Sequence, residues 1–290
     1  MILDAALLFA LGAALSYAFA DMGARYGVLQ AHPFIGSTIS RTISLSSLFI
    51  VAFVMGAKFP PLGIHYLWVA VGGVCTPGLF AILFMFGISK IGVSRAAPIK
   101  GSSPIVASLL AIVFLGERPE LHHLAGVLLV VSGIAVITLG KTESSWRGIH
   151  VLWPIASAVV AGMGAVFWRM GLPSFPDAIA GAVVGMATAF FMVAACALFF
   201  VREQFLEGVR KGWRPFVFMG LAASFGSFFY ANALQRGEIY RMTSLIQTSP
   251  LITVAFALAL LRREESITWR VPAGAALTVS GAILVNLRLG

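Results

Sequence analysis

Apolar residues in this chain gather into long runs, and the ionisable residues fall almost entirely between them. Stretches without Lys, Arg, Asp or Glu are Ala5–Ala20, Tyr26–Ala57 (broken only by Arg41), Phe59–Ser89, Ala96–Gly116 (broken by Lys100) and Leu121–Gly140. Then come Gly148–Trp168, Ala178–Val201, Pro215–Gln235, Met242–Leu261 and Val271–Leu287. A bilayer-crossing helix needs about 17–25 such residues, and in hydrocarbon its backbone polar groups must be satisfied internally. The pattern predicts an all-α polytopic membrane protein with ten transmembrane helices and no soluble domain. Gly72, Gly73, Pro77 and Gly78 interrupt the third run, Pro98 and Pro104 the fourth, and Pro250 the ninth; each is a place where a helix can kink.

The two halves repeat. A shift of 146 places Arg95 on Arg241, Ser103-Pro104 on Ser249-Pro250, Ala111 on Ala257 and Leu115 on Leu261. A shift of 148 places Phe19, Met22 and Gly23 on Phe167, Met170 and Gly171, and Glu117, Gly126, Ser132 and Gly133 on Glu265, Gly274, Ser280 and Gly281. Five spans per unit is an odd number, so the second copy must enter the membrane from the opposite face. The expectation is a first five-helix unit at 1–141 and a second, inverted, at 147–290. Inverted repeats recur in secondary transporters, with the substrate site at their interface near mid-membrane.

Composition narrows the class. Of the 290 residues 59% are apolar and 11% charged, against roughly 25% charged in an ordinary soluble domain, and the mean hydropathy is +0.95. The net charge of +9 does not indicate nucleic acid, because the basic residues are scattered as membrane-flanking residues are. Cys75 and Cys196 lie in separate apolar runs with no CxxC, CxxH or HExxH spacing nearby, so they read as packing residues, with no metal and no cofactor. Ala18-Phe19-Ala20 looks like a signal-peptidase site, but the chain opens Met1-Ile2-Leu3-Asp4 rather than with positive charge, and the repeat holds an internal copy of this stretch. It reads as a retained helix. Twelve Lys and Arg fall in the odd-numbered connections and six in the even ones and termini, which by the positive-inside rule puts both termini outside.

Charged and polar side chains at membrane depth are candidate functional groups. Arg41 lies about 10 Å into the second span if that helix starts near Phe34, among Ser37, Thr38, Ser40, Thr42, Ser44, Ser46 and Ser47; that polar density suggests a wet or substrate-lined face, against a snorkelling arginine. Lys100 lies about 6 Å into the fourth and can also snorkel. Two cations at one level with no intramembrane carboxylate there favour an anionic group on the substrate. Asp21 follows Tyr17 by one turn and precedes Arg25 by one; an i,i+4 ion pair with Arg25 is the ordinary reading, proton coupling the sharper one. Arg95 and Arg241 read as flanking residues or as gates at opposite entrances. Tyr17, Phe84, Trp168 and Tyr230 are candidate aromatic walls, and Ser16, Asn232 and Gln247 candidate polar contacts, as small-molecule sites require. The five histidines all sit near helix ends, which excludes a deep catalytic dyad and hence an enzyme.

The motif Phe84-Met-Phe-Gly-Ile-Ser-Lys-Ile-Gly-Val-Ser94, then Ala96-Ala97-Pro98, Ser103-Pro104 and Gly116-Glu117, resembles the EamA unit of the drug/metabolite transporter superfamily. Its second copy reads Tyr230-Ala-Asn-Ala-Leu-Gln-Arg, Ser249-Pro250, Glu264-Glu265 and Ser280-Gly281. Ser16-Tyr17-Ala18 stands where such units often carry Trp-Gly or Trp-Ala. The resemblance implies a carrier in the bacterial inner membrane, as monomer or homodimer, with termini inside, contrary to the charge count. It also implies export of a small metabolite, leaning to an organic anion or amino acid. The alternative is a flippase for a lipid or lipid-linked sugar phosphate, with Arg41 and Lys100 holding the phosphate.

Overall fold

The computed structural model describes residues 5–91, 96, 99–138, 148–249, 251–253, 256 and 269–286. Among these the regular structure is helical throughout. In the first half, α1 spans Ala5–Gly27 and α2 Pro33–Val54; α3 (Ile64–Gly73) runs through a wide π-helical turn, Val74–Leu79, into α4 (Phe80–Ile91); α5 spans Ser103–Leu115 and α6 Leu121–Thr138. In the second half, α7 spans Leu152–Gly171, α8 Ala178–Phe200, α9 Phe205–Arg236, α10 Ile239–Ile246 and α11 Arg270–Asn286.

Six helical stretches are long and apolar enough to cross a membrane, and Ser103–Leu115, Leu121–Gly133 and Ala276–Val285 are shorter apolar helices. The protein is a polytopic membrane protein. The expected count of ten is not reached among the described residues, because much of the ninth run, beyond α10, lies outside them. So do Pro98 and Pro250. Two other expectations are corrected. Pro104 does not break a helix but sits in the first turn of α5, where a missing N–H costs nothing. The basic stretch 202–214, expected as a connection, folds into a short 3-10 turn at Arg202–Gln204 and the opening turns of α9, where Glu207 and Lys211 pair at 2.5 Å.

The expected bend in the third run is present. Proline forces its predecessor out of the helical region, and Thr76, before Pro77, has φ −138° and ψ 112°. The carbonyl of Thr76 is taken by the indole of Trp168, whose Nε1 donates to it at 2.8 Å.

The halves interlock through glycines. Gly23 brings α1 against α9, where a Cβ would stand 2.9 Å from the Pro215 carbonyl oxygen; Gly171 brings α7 against α3, where a Cβ would stand 2.7 Å from that of His65. These two glycines correspond under the 148-residue shift, so the first helix of each half packs on the third helix of the other. Helices α6 and α11 cross in the same reciprocal manner. A Cβ on Gly133 would lie 2.5 Å from the Thr278 nitrogen and 2.6 Å from the Gly274 oxygen; on Gly281, 2.6 Å from the Val130 nitrogen and 2.7 Å from the Gly126 oxygen. Under the shift the first set of contacts becomes the second. As residue numbers rise along α6 they fall along α11, so these equivalent helices run antiparallel. Small residues permit such close approach where helix association rests on packing rather than on water exclusion.

Gly133→Val and Gly281→Val should therefore each destabilise the protein by about 1–3 kcal/mol, the usual cost of overpacking, and by similar amounts. Ser132→Val, on the exposed side of α6, should leave stability unchanged. Thermal unfolding in detergent measures all three; a Gly133→Val protein as stable as wild type would contradict the close crossing.

Candidate functional site

Between the halves lies a cavity of about 90 Å³, measured as the space open to the centre of a water molecule. At 10–15 Å³ per water that is room for roughly six to nine waters, the scale of a small metabolite. Its wall is drawn from α1, α2, α4, α5, α7, α9, α10 and the 74–79 turn, together with Lys100, Gln247 and Ser249. The broken third span contributes because its kink turns Thr76, Pro77 and Phe80 toward the same space.

Three charged side chains line this cavity: Asp21, Arg41 and Lys100. Lys100 Nζ lies 2.7 Å from Asp21 Oδ2, the two side chains only 4% and 10% exposed. The ammonium also stands 4.3 Å from the centre of the Phe84 ring, a cation–π distance. Arg41 is 3% exposed. Its Nη2 donates to Ser40 Oγ at 3.3 Å, its Nη1 reaches Met186 Sδ at 3.9 Å, and its Nε is buried without a hydrogen-bond partner. Among the described residues no carboxylate forms an ion pair with it. The aromatic wall is Tyr17, Phe80, Phe84 and Tyr230, with the Tyr17 and Tyr230 rings edge-to-face at 6.4 Å. Gln247 Nε2 donates to Ser103 Oγ at 2.6 Å, joining the two halves across the cavity wall.

The structure thus brings together Tyr17, Asp21, Arg41, Phe84, Lys100, Tyr230 and Gln247 of the expected site. Others stand elsewhere. Ser16 Oγ donates back to its own helix at Gly12 O, 2.8 Å. Trp168 supports the wall from behind, its ring edge-on to Tyr230 at 6.1 Å. Asn232 is consumed within α9, donating to Phe228 O at 2.9 Å and accepting from Arg236 Nη1 at 2.5 Å. Arg241 lies in the first turn of α10 near Glu238, at 3.7 Å, away from the cavity. Arg95 lies outside the described residues.

Two readings of the charges are corrected. A carboxylate does stand in the cavity with the two cations, beside one of them: Asp21 turns inward on the α1 face shared with Tyr17, Ala20 and Ala24 and pairs with Lys100, so its ion pair is not the helical one with Arg25 and Lys100 does not snorkel. None of the α2 hydroxyls is among the residues lining the cavity, and two of them are taken up in helix packing. Ser37 donates to Met85 Sδ at 3.1 Å and Ser44 to the Gly220 carbonyl at 2.7 Å, tying α2 to α4 and α9.

Glu117, outside the expected set, also bears on the cavity wall. Its Oε1 accepts the Ile239 N–H at 2.9 Å, while Oε2 is buried without a partner. The carboxylate caps α10 from the other half of the chain, and α10 carries Thr243 and Ile246 of the cavity wall. Its place in the Gly116-Glu117 pair was the available signal. On the equivalent face, Arg169, which corresponds to Asp21, donates Nη1 to the Leu234 and Gln235 carbonyls at 2.7 and 2.9 Å, capping the end of α9.

A bundle of apolar helices around a charged cavity defines a polytopic membrane protein with a polar hollow in its interior. The chain belongs to the EamA-like transporter family, whose model matches residues 4–139 and 148–287. The two matched units agree with the resemblance read from the motifs. A "Probable terminal-alkyne amino-acid exporter" of Streptantibioticus cattleyicolor is 25% identical over 259 residues, 85% of this chain and 84% of that protein. "Phosphoenolpyruvate/phosphate translocator 3, chloroplastic" of Oryza sativa subsp. japonica is 38% identical over 61 residues, 21% of this chain and 16% of its own. A solved crystal structure of a protein matches with TM-score 0.78 over 97% of this chain and 96% of its own at 18% identity, a likeness of fold alone.

Burial raises the pKa of Glu117; the N–H groups of Ile239 and Tyr240 and the charge of Arg169 oppose the shift, and Glu238 adds to it. A carboxyl whose folded pKa lies above its unfolded value binds more protons when folded, so this contribution is greatest in acid and declines as pH rises through the raised value. Glu117→Gln should remove that decline, so the stability difference between variant and wild type should shift in the variant's favour as pH rises from the carboxylate range to neutral. Thermal unfolding of both proteins across pH checks this; parallel profiles would contradict it.

Proposed function

We propose that this chain is a secondary carrier for a small organic anion, a carboxylate-bearing metabolite or an amino acid, exporting it across a bacterial plasma (inner) membrane. The mechanism is alternating access: the two five-helix units are inverted relative to each other and rock about the cavity between them. The reciprocal packing of α1 on α9 at Gly23 and of α7 on α3 at Gly171, and the antiparallel crossing of α6 on α11, support the inversion.

The observation that carries the reading is Arg41. A guanidinium this deeply buried, facing a cavity and unanswered by a carboxylate among the described residues, is a ready partner for an anionic oxygen pair. The aromatic wall supplies apolar contact for the rest of a small solute. The name of the relative that covers most of this chain, an amino-acid exporter, supports a carboxylate-bearing cargo. None of the five histidines lines the cavity, which weighs against hydrolytic chemistry there. A lipid phosphate fits less well: the space is small, and Lys100 is already matched by Asp21.

Proteoliposomes loaded with radiolabelled monocarboxylates and amino acids should release at least one of them through the wild-type protein. Arg41→Gln should slow that release by about a hundredfold, the loss expected from a charged hydrogen-bonded contact worth roughly 3 kcal/mol, while the unfolding temperature stays near wild type. Undiminished flux through the Gln variant, or scrambling of labelled phospholipid with no flux of acids, would overturn the proposal.

A further inference from the structure

The Asp21–Lys100 pair has a consequence for what the cavity accepts, which rests on the anion-carrier reading above. Among the described residues that line the cavity, Asp21, Arg41 and Lys100 are the charged ones, and together they leave one positive charge in excess. In a low-dielectric interior that count matters more than any single contact, because an unbalanced buried charge loses its solvation without compensation. A solute with one negative charge brings the filled cavity to neutrality: Lys100 keeps Asp21, and Arg41 takes the solute. A solute with two negative charges leaves one unanswered, and its second oxygen group can reach a cation only by stripping Lys100 from Asp21. A solute without a carboxylate leaves the guanidinium as it was, whereas a zwitterionic amino acid can bring its carboxylate to Arg41 but needs a separate partner for its ammonium.

We propose that Asp21 is a charge-selectivity residue: by neutralising Lys100 it tunes the cavity to monoanions and excludes dianions. Asp21 need not touch the solute to do this. It stands within ion-pair distance of Lys100, 2.7 Å, and is held there by burial on the inner face of α1. Among the described residues the other ionisable groups lining the cavity are the phenols of Tyr17 on its own helix and Tyr230 on α9 and the guanidinium of Arg41 on α2, with Arg25 one turn further along α1 outside the lining; the α10 residues facing the cavity, Thr243 and Ile246, carry no charge. Nothing in this set replaces the carboxylate if it is removed.

The charge count makes a separate prediction for each variant. Asp21→Asn leaves an excess of two and should favour dianions. Lys100→Gln leaves none and should weaken binding of all anions. The double variant Asp21→Asn/Lys100→Gln restores an excess of one and should recover the wild-type preference, although both partners of the pair are gone. It also carries no unpaired charge from that pair, so it keeps the test open if Asp21→Asn fails to fold.

The probes are 3-phenylpropionate and phenylsuccinate, which share a ring and a short chain and carry one and two carboxylates. Binding to purified protein at neutral pH is read from the concentration dependence of the unfolding temperature, since a ligand stabilises the state it binds. The expected result is tighter binding of phenylpropionate by the wild type and the double variant, by about tenfold or more (1.4 kcal/mol per decade), and the opposite order for Asp21→Asn. A wild type that prefers phenylsuccinate, a double variant that binds neither acid, or an Asp21→Asn protein with the wild-type order would overturn the selectivity role while leaving the carrier reading intact. Failure of the wild type to bind either acid would instead overturn the anion reading on which it rests.

Discussion

An ionised side chain taken out of water must be answered by opposite charge or by several hydrogen bonds, or it costs several kcal/mol. The centre of this protein is built around that requirement. Asp21 and Lys100 answer each other, one from α1 and the other from the segment leading into α5. Arg41 is answered only in part, by a serine hydroxyl and a thioether. A stable apolar bundle would have no use for a half-satisfied guanidinium. On the carrier reading proposed above, a bundle that holds an anionic solute for a moment and then lets it go needs such a group: a fully satisfied arginine would have nothing to offer, and a fully exposed one would be screened by water.

The frame around these charges is set by close helix crossings rather than by large side chains. Gly23 and Gly171 let the first helix of each half lean on the third helix of the other, and Gly133 and Gly281 close α6 on α11. The break at Thr76 turns an otherwise continuous span inward, and Trp168 holds the carbonyl next to it. Glu117 reaches from the first half to cap α10 in the second. Each of these devices crosses between halves, although the three charges they enclose, Asp21, Arg41 and Lys100, all come from the first.

Much of this frame was legible in the sequence. Counting between charges located the helices, the proline in the third run located its break, and the shift of 148 residues already paired the glycines that pack reciprocally. The pair at the centre was not legible. Asp21 and Lys100 are separated by 79 residues, and a sequence offers Asp21 a nearer partner in Arg25; only the rotation of α1 that faces Tyr17 to the cavity also turns Asp21 inward. The serines of α2 misled for a related reason. A hydroxyl in a span can be satisfied by a carbonyl or a sulfur of the next helix as well as by water, and Ser37 and Ser44 took that course. Arg169 shows the limit of repeat logic: it occupies the place of Asp21, yet its charge serves two carbonyls at a helix end.

That divergence follows from fusing two copies into one chain. Where two identical protomers meet about a twofold, every substitution appears on both sides, so a change that improves a binding centre must also be tolerated at its mirror position. Joined in tandem, each copy is edited alone. At this pair of positions one copy supplies an acid to the central cavity while its twin caps a helix end. Ancestry remains visible in the reciprocal glycine seam, where neither side has had reason to depart from the other.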